Sequence, residues 1–474
     1  MISSIAWKNV WRNKTRSLIV ISAIVLGTVA GVFVNGLMKG WVDQRIRSVI
    51  YTEVSHLKIR NTEYLKNEDV NAVIPSIDSL EAFLKASPEV KSYAKHSSLM
   101  CAAQTAWSNS GMMVKGIDVE NEKTVSDLYK FILPNAGSYF EEDMRNPIVI
   151  SDKTAEQLKL KNYQITRVVM DSLKTLEVDE AVLQKLQALL DMQPFRTKKS
   201  FQKALADLQI DEATVVTITN LSVSYNLRKK INLSFVGKDG YAVQEPFKVC
   251  GVFKTFNTMF DQQFAFIRQS DLEKMSGSTD KQVHEITIVL NEDDKNLEPF
   301  KKKIQENFKG LSVMTWKEMA PDAGMMADFM YFYYLMIMGI IFAALAFGIV
   351  NTMLMAIMER TKELGMLMAV GMSKKRVFSM IMLETIYLTL TGSVIGMFIG
   401  WVLIAVTGST GLNFTSIAEG FEAMGWAAKV YPDIELLFFF VITIMVVVVA
   451  ILASLFPARK AIKMNPNEAL RVDM

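Results

Sequence analysis

The stretch Tyr334–Met358, YLMIMGIIFAALAFGIVNTMLMAIM, followed at once by Glu359–Arg376, ERTKELGMLMAVGMSKKR, decides the fold. The first part carries no charge and is apolar around its whole circumference, whereas a helix of a soluble core is apolar along one stripe. A bilayer core of about 30 Å needs about 20 such residues in helix. Ser17–Met38, Val377–Ala405 and Leu436–Phe456 meet the same requirement. The sequence is therefore read as a membrane protein with four transmembrane α-helices, at 17–38, 334–358, 377–405 and 436–456. Residues 39–328, between the first and second, have ordinary soluble composition and are expected to form a large extracytoplasmic α+β domain.

Composition agrees: of 474 residues, 50% are hydrophobic, and the mean hydropathy of +0.21 is high for a soluble chain. Lys+Arg 52 against Asp+Glu 49 leaves a net charge of +3, without the basic footprint of a nucleic-acid binder. Cys101 and Cys250 match no zinc spacing, and His56, His96 and His284 are scattered. No phosphate-binding loop, H-E-x-x-H pair or G-x-S-x-G elbow occurs. The chain is read as a non-enzyme with no catalytic residue, no metal site and no cofactor of its own.

Cations in short flanking segments orient a membrane protein. Lys8, Arg12, Lys14 and Arg16 precede the first span; Arg360, Lys362, Lys374, Lys375 and Arg376 follow the second; Arg459, Lys460, Lys463 and Arg471 follow the fourth. The 406–435 loop has Lys429 against Glu419, Glu422, Asp433 and Glu435. Both termini and the 359–376 loop are thus expected in the cytoplasm, with 39–328 and 406–435 outside. The first span is too long for a signal-peptide core and lacks a small-residue cleavage site, so it reads as an uncleaved anchor.

Residues 1–16 read as an amphipathic helix, with Trp7, Val10 and Trp11 at i, i+3, i+4 and a basic stripe of Lys8, Arg12 and Arg16. Such a helix can lie among lipid headgroups, or its residues can be plain anchors. In the 359–376 loop, Leu364, Leu367 and Met368 make a short apolar stripe, and Gly371 is a natural helix stop. Patterning alone leaves a docking helix and a lipid-lying helix both open.

The loop Glu359-Arg360-Thr361-Lys362-Glu363-Leu364-Gly365 through Ala369, Val370 and Gly371 resembles the coupling-helix signature of the FtsX-like permeases of ABC transporters. Pro457-Ala458-Arg459-Lys460-Ala461 with Asn465-Pro466 and Glu468-Ala469-Leu470-Arg471 resembles the closing motif of that family, and Trp7–Arg16 its N-terminal helix. The resemblance implies that a separate ABC ATPase subunit, in two copies carrying ATP and Mg, grips Glu359, Arg360, Lys362, Glu363, Leu364, Gly365, Leu367, Met368 and Gly371. It implies also a second permease copy or a homologous permease.

Within the spans, Glu384 lies about 12 Å beyond Arg376 at about 1.5 Å per residue. A structural partner, a backbone group or a cation at the cytoplasmic edge, is the commoner role for such an acid, a proton relay the rarer. Asn351 is the other polar candidate. Gly392, Gly396 and Gly400 form a small-residue stripe, expected to pack on the second or fourth span. Many of the 30 methionines crowd the second and third spans, as lipid-facing filler or as the lining of an acyl-chain cavity.

In the external domain, His56–Arg60, Pro147–Ile150 and Glu285–Leu290 alternate as strands, while Ser79–Ala86 and Pro299–Phe308 read as helices. The segment Phe247–Thr255 with Asp261 and Phe264–Ile267 is similar to the V-x-G-I-F-x-T-G strand and hairpin of lipoprotein-releasing (Lol-type) permeases, through Val249, Gly251, Phe253 and Asp261. Phe256 replaces that family's usual Gly. Set against that family, residues 161–211 resemble an insertion, with Thr197 capping its second helix; a contact for a chaperone or partner permease and a decorative helical hairpin are both open. Cys101 and Cys250 lie on the oxidising side, where pairing and two buried thiols are both open.

The resemblance implies a permease subunit of the bacterial inner membrane that extracts lipoprotein cargo and passes it to a periplasmic carrier. The alternatives are a MacB-type mechanotransmitting permease that drives efflux of a periplasmic substrate, and an FtsX-type signalling subunit for a cell-wall hydrolase. Membrane lipid is an expected partner and nucleic acid is not.

Overall fold

The structure, a computed structural model, describes residues 2–463 apart from 13, 68–70, 142, 191, 238–240, 278–282 and 292–295. The motif Asn465–Arg471 lies outside the described residues. The chain folds as two compact units: a helical one from residues up to 44, 325–418 and 427 onward, and an α+β one from 45–324 and 419–426.

Among the described residues four helices are long and apolar enough to cross a membrane: Lys14–Ser48, Pro321–Glu359, Lys374–Thr410 and Leu436–Lys463. Each outruns the apolar segment that announces it, because helix continues into polar sequence once the apolar part fixes it. The first runs into a π-turn, Val49–Val54, and the fourth continues through Pro457 to Lys463. In the helical unit, Val20, Ile24, Met353, Ile357, Val377, Ile381 and Ala453 share one cluster, and Val32, Met338, Phe342, Ile404, Ile442 and Val446 another.

Gly392, Gly396 and Gly400 face the first helix, not the second or fourth as the stripe suggested. A Cβ on each would lie 2.8–2.9 Å from Ile24, Thr28 and Val32 in turn. Both helices step by four residues, so the missing side chains admit the larger ones turn by turn.

The α+β unit contains strands β1 (Leu57–Asn61), β2 (Val90–Gln104), β3 (Asn109–Ile117), β4 (Ile132–Gly137), β5 (Pro147–Ser151), β6 (Lys161–Tyr163), β7 (Val223–Tyr225), β8 (Lys230–Val236), β9 (Ala242–Phe253), β10 (Phe264–Arg268), β11 (Glu285–Leu290) and β12 (Leu311–Thr315). Two motifs share β2. Its first half completes an antiparallel sheet, β12-β1-β11-β2, whose helices Ile77–Ala86 and Leu297–Asn307 follow β1 and β11. That is a ferredoxin-like βαββαβ arrangement with its middle connection expanded. The second half of β2 pairs with β3 and β8, and the ring β2-β3-β10-β5-β9-β8 closes on itself. Leu99, Val114, Ile150, Leu233, Phe247, Val249 and Ile267 fill this barrel.

Closure corrects the expected hairpin after Val249. β9 and β10 do not pair, because β5 lies between them. The connection is the short helix Thr258–Gln263, capped by Asn257. Val249 points into the barrel core, whereas Cys250 and Phe253 pack with Phe260 and Phe266 on the other face. Cys101 sits in the barrel core, and both cysteines are free and buried. Gly251 is required by close approach, since a Cβ there would lie 2.2 Å from the Ser138 carbonyl oxygen.

Asp261 is 2% exposed. It accepts from Thr255 N–H at 3.1 Å and Thr255 Oγ1–H at 2.7 Å, tying the end of β9 to the short helix. Burial pushes its pKa up to about 7, against the pull of the Thr255 donors.

At the β1–β11–β2–β3 crossing, buried Glu285 accepts from Lys115 at 2.8 Å and Arg60 at 2.7 Å, with Lys58 at 3.7 Å. Burial opposes its charge, yet Lys115, Lys58 and Arg60 hold its pKa well below the usual range. His96 bridges Glu285 and Glu122; burial opposes its charge, but Glu122 and then Glu285 raise its pKa.

The inserted segment is more than a hairpin. Four helices, Arg167–Thr175, Glu180–Leu186, Lys198–Asp207 and Glu212–Leu221, each begin at a side-chain cap, from Thr166, Asp179, Thr197 and Asp211. They enclose their own core around Leu173, Leu186, Phe201, Leu205 and Ile218. Asp211, the expected end, is the cap of the last helix, and the subdomain closes only where β7 pairs with β6. Asp152 clasps its root, accepting from Lys161 at 2.9 Å and Tyr225 at 2.6 Å.

Two outcomes follow from these placements. Asn226 N–H donates to the Leu160 carbonyl oxygen at 2.9 Å, so replacing 161–225 by Asn-Gly should leave a folded protein. Removing only 161–211 strands the helix Glu212–Leu221 and should lower the yield of folded protein; comparing yield and thermal unfolding in detergent checks both. For Asp261, the folded pKa of about 7 lies above an ordinary value of about 3.9, so the native state holds the extra proton between them. Local stability should fall as pH rises through that window, by up to about 1.4 kcal/mol per pH unit. Hydrogen exchange at the Thr255 amide, corrected for its intrinsic rate, should show this slope in the wild type and lose it in Asp261→Asn.

Candidate functional site

The site is built where the second long helix ends. Glu359 closes it, Arg360 breaks the axis, and a nine-residue helix, Thr361–Ala369, follows before Gly371 takes φ +102° and stops the turn. The third long helix begins at Lys374.

The short helix has a fixed face and an open one. Leu364 is 3% exposed and joins the cluster of Val10, Ile357, Val377 and Ile381, while Gly365 is buried beside it. Met368 packs partly against the same cluster. Met366, Leu367 and Val370 are 54%, 37% and 85% exposed. The expected docking stripe is therefore divided: Leu364 anchors the helix from behind, and the open apolar surface is Met366, Leu367 and Val370. In sequence both faces of this helix are apolar, so periodicity could not say which one the bundle takes. Lys362, Gly371, Lys374, Lys375 and Arg376 are exposed around it.

Charges brace the fixed face in a chain. Arg12, from the N-terminal helix Ile2–Arg12, donates to both carboxylate oxygens of Glu363. Arg360 donates through Nε to Glu363 at 3.1 Å and through Nη1 to Glu384 at 3.2 and 3.3 Å. The hydrogen bond from Arg12 lowers the Glu363 pKa, with Arg360 helping against partial burial. Glu384, 6% exposed, is thus part of an ion pair at one end of the bundle. A cavity of about 230 Å³ adjoins the chain, lined by Asn9, Arg12, Ser17, Glu359, Arg360 and Glu384.

The N-terminal helix docks on the bundle. Its inward stripe is Ala6 and Val10, both fully buried, in place of the expected Trp7–Val10–Trp11 face. Trp7 and Trp11 are about half exposed at the rim, and Trp7 meets the Tyr387 ring edge-on at 5.6 Å. Small Ala6 is what allows this approach, a signal overshadowed in sequence by the two tryptophans. Arg16 belongs to the first long helix. Asn351 is exposed on the second long helix, away from the Arg360–Glu384 pair. Val249, Gly251, Phe253 and Asp261 hold the barrel and its short helix together within the α+β unit. Among the described residues no group of His, Cys, Asp and Glu has metal-binding geometry.

Residues 335–466 match the family described as FtsX-like permease C-terminal. An uncharacterized ABC transporter permease of Methanocaldococcus jannaschii is 27% identical over 230 residues, 48% of this chain and 55% of that protein. A macrolide export ATP-binding/permease protein MacB of Chlorobium luteolum is 32% identical over 128 residues, 27% of this chain and 16% of its own. The ABC transporter permease YtrF of Bacillus subtilis is 30% identical over 136 residues, 27% of this chain and 29% of its own. The chain thus spans about half or less of the length of these relatives. Among solved structures, the extracellular domain of the noncanonic ABC-type transporter YknZ from Gram-positive bacteria covers 55% of this chain and 99% of its own, at 12% identity and a TM-score of 0.29. The periplasmic region of MacB from Actinobacillus actinomycetemcomitans covers 58% and 94%, at 10% identity and a TM-score of 0.30. Over residues 335–466 the chain carries an FtsX-like permease domain.

Proposed function

We propose that this chain is the permease subunit of an ABC transporter, driven by a separate ATPase subunit in two copies that grip the open face of Thr361–Ala369. The observation that carries this reading is an apolar surface, Met366, Leu367 and Val370, on a helix locked from behind by Leu364 and the Arg12–Glu363–Arg360–Glu384 chain. A partner pulling on a rigidly seated helix moves the long helices with it; on a loosely held one the work would go into the loop. The exposed cations Lys362, Lys374, Lys375 and Arg376 ring the face and suit an acidic rim on the partner. These cations, with those flanking the first and fourth spans, support a reading in which this end and both termini face the cytoplasm at a bacterial inner membrane. ATP and Mg belong to the ATPase, and a second permease copy or a homologous one completes the match to two ATPase subunits.

For cargo we retain lipoprotein extraction to a periplasmic carrier, supported by the similarity of the Val249–Thr255 segment to lipoprotein-releasing permeases. MacB-type mechanotransmission is favoured by the alignment with MacB proteins over about a quarter of the chain. Purification from native membrane followed by mass spectrometry separates them: triacylated lipoproteins support the first, and an efflux adaptor or outer-membrane channel supports the second. Absence of any ATPase overturns both.

Two variant sets test the docking. Met366→Asp or Val370→Asp should lower permease-stimulated ATPase activity by about tenfold or more, as loss of an interface anchor does, with thermal unfolding of the permease unchanged. Arg12→Glu and Glu363→Arg should each reduce stimulation, and the double swap should recover it. A coupling energy of about 0.5–1 kcal/mol from the cycle marks an internal brace, whereas no recovery would make Glu363 a direct partner contact.

A further inference from the structure

At the end of the helical unit opposite Arg360 and Glu384, the first, second and fourth long helices enclose a second cavity, of about 170 Å³. Its walls are largely hydrocarbon, from Leu335, Leu437 and Phe438 among others. Two polar atoms within it are buried and unpartnered, Asn35 Oδ1 and Tyr334 Oη. Asn35 is 2% exposed and Tyr334 6%. One N–H of the Asn35 amide donates to the Gly31 carbonyl oxygen at 2.8 Å, while its Oδ1, on a residue that lines the cavity, is an acceptor with no donor. Unsatisfied polar atoms at such depth are costly unless a ligand completes them.

Charge selects the ligand. Lys39 lines the cavity and is held by Asp43 at 3.0 Å, by Asp433, and by Glu435 at 3.7 Å. Three carboxylates against one ammonium leave an excess of two negative charges, and Glu435 itself lines the cavity. An anionic head is repelled here. A head with several donors and a positive charge fits Asn35 Oδ1, Tyr334 Oη and Glu435 together, and a primary ammonium has three donors and no acceptor. A quaternary ammonium carries the charge without the donors.

We propose that this cavity is a binding site for the ammonium head of an aminophospholipid, phosphatidylethanolamine, taken from the surrounding leaflet. The ammonium lies between Asn35, Tyr334 and Glu435, the phosphate stays outside the cavity, clear of the carboxylates around Lys39, and the acyl chains run along Leu335 and Leu437. The site is independent of the cargo and of the ATPase.

The test uses the full chain in nonionic detergent with equimolar phosphatidylethanolamine, phosphatidylcholine and phosphatidylglycerol, read by native mass spectrometry. One phosphatidylethanolamine per chain, retained about tenfold over each of the others, is expected. Tyr334→Phe and Glu435→Gln, each leaving thermal unfolding unchanged, should bring retention down to the phosphatidylcholine level. Equal retention of the three lipids, preference for phosphatidylglycerol, or unchanged selectivity in both variants overturns the site. Dodecylammonium retained in preference to phosphatidylethanolamine at equal concentration overturns the lipid as occupant. Disulfide cross-linking of Leu437→Cys between two chains also overturns it, since a second copy would then cover the cavity.

Discussion

Backbone proximity between the first and third long helices is the constraint on which the helical unit rests. In hydrocarbon there is no water to expel, so helices are held by contact, and contact grows as the axes approach. Gly392, Gly396 and Gly400 remove the Cβ atoms that would keep Ile24, Thr28 and Val32 away. On the other side of the first helix, Gly27 and Gly31 admit Leu345 and Met338 of the second. The first helix is thereby gripped from two sides, and the second and third long helices are placed relative to each other through it.

That placement sets the geometry of the charged end. Glu384 is buried on the third helix, and Arg360 reaches it from the end of the second. Leaving either alone in an apolar bundle would be far costlier than an exposed ion pair is favourable. The pairing consequently fixes where the second helix ends and the short one starts. Glu363 then collects Arg360 and Arg12, so the N-terminal helix is joined to the same set of charges. The open surface of Met366, Leu367 and Val370 has a defined direction because everything behind it is committed.

Much of this is legible in sequence where one physical effect dominates. The four spans stand out by apolar length, β11 matches Glu285–Leu290 from its composition, and Thr197 caps the helix it was expected to cap. Legibility fails where two faces compete. The Thr361–Ala369 helix is apolar on both sides, so spacing alone misassigns Leu364. The glycine stripe announces a close neighbour without saying which helix it is. The Val249–Ile267 region reads as a hairpin because strand propensity does not show that β5, more than a hundred residues earlier in places, slips between its two arms. The long-range ion pairs and the cavity with Asn35 and Tyr334 depend on juxtapositions that no local pattern carries.

The sharing of β2 also orders events in time. β1, at Leu57, pairs with Ile288 and with Thr315, and the barrel lies in sequence between β2 and β11. The first strand made is thus among the last to find its neighbours, and the ferredoxin-like half waits for the barrel. Non-local pairing of this kind is slow and leaves a bare strand edge meanwhile. During synthesis β1 emerges tethered to the first long helix, next to the bilayer. Its charged residues Lys58 and Arg60 wait there for Glu285, and until it arrives they keep an otherwise apolar segment soluble and unattractive to other edges.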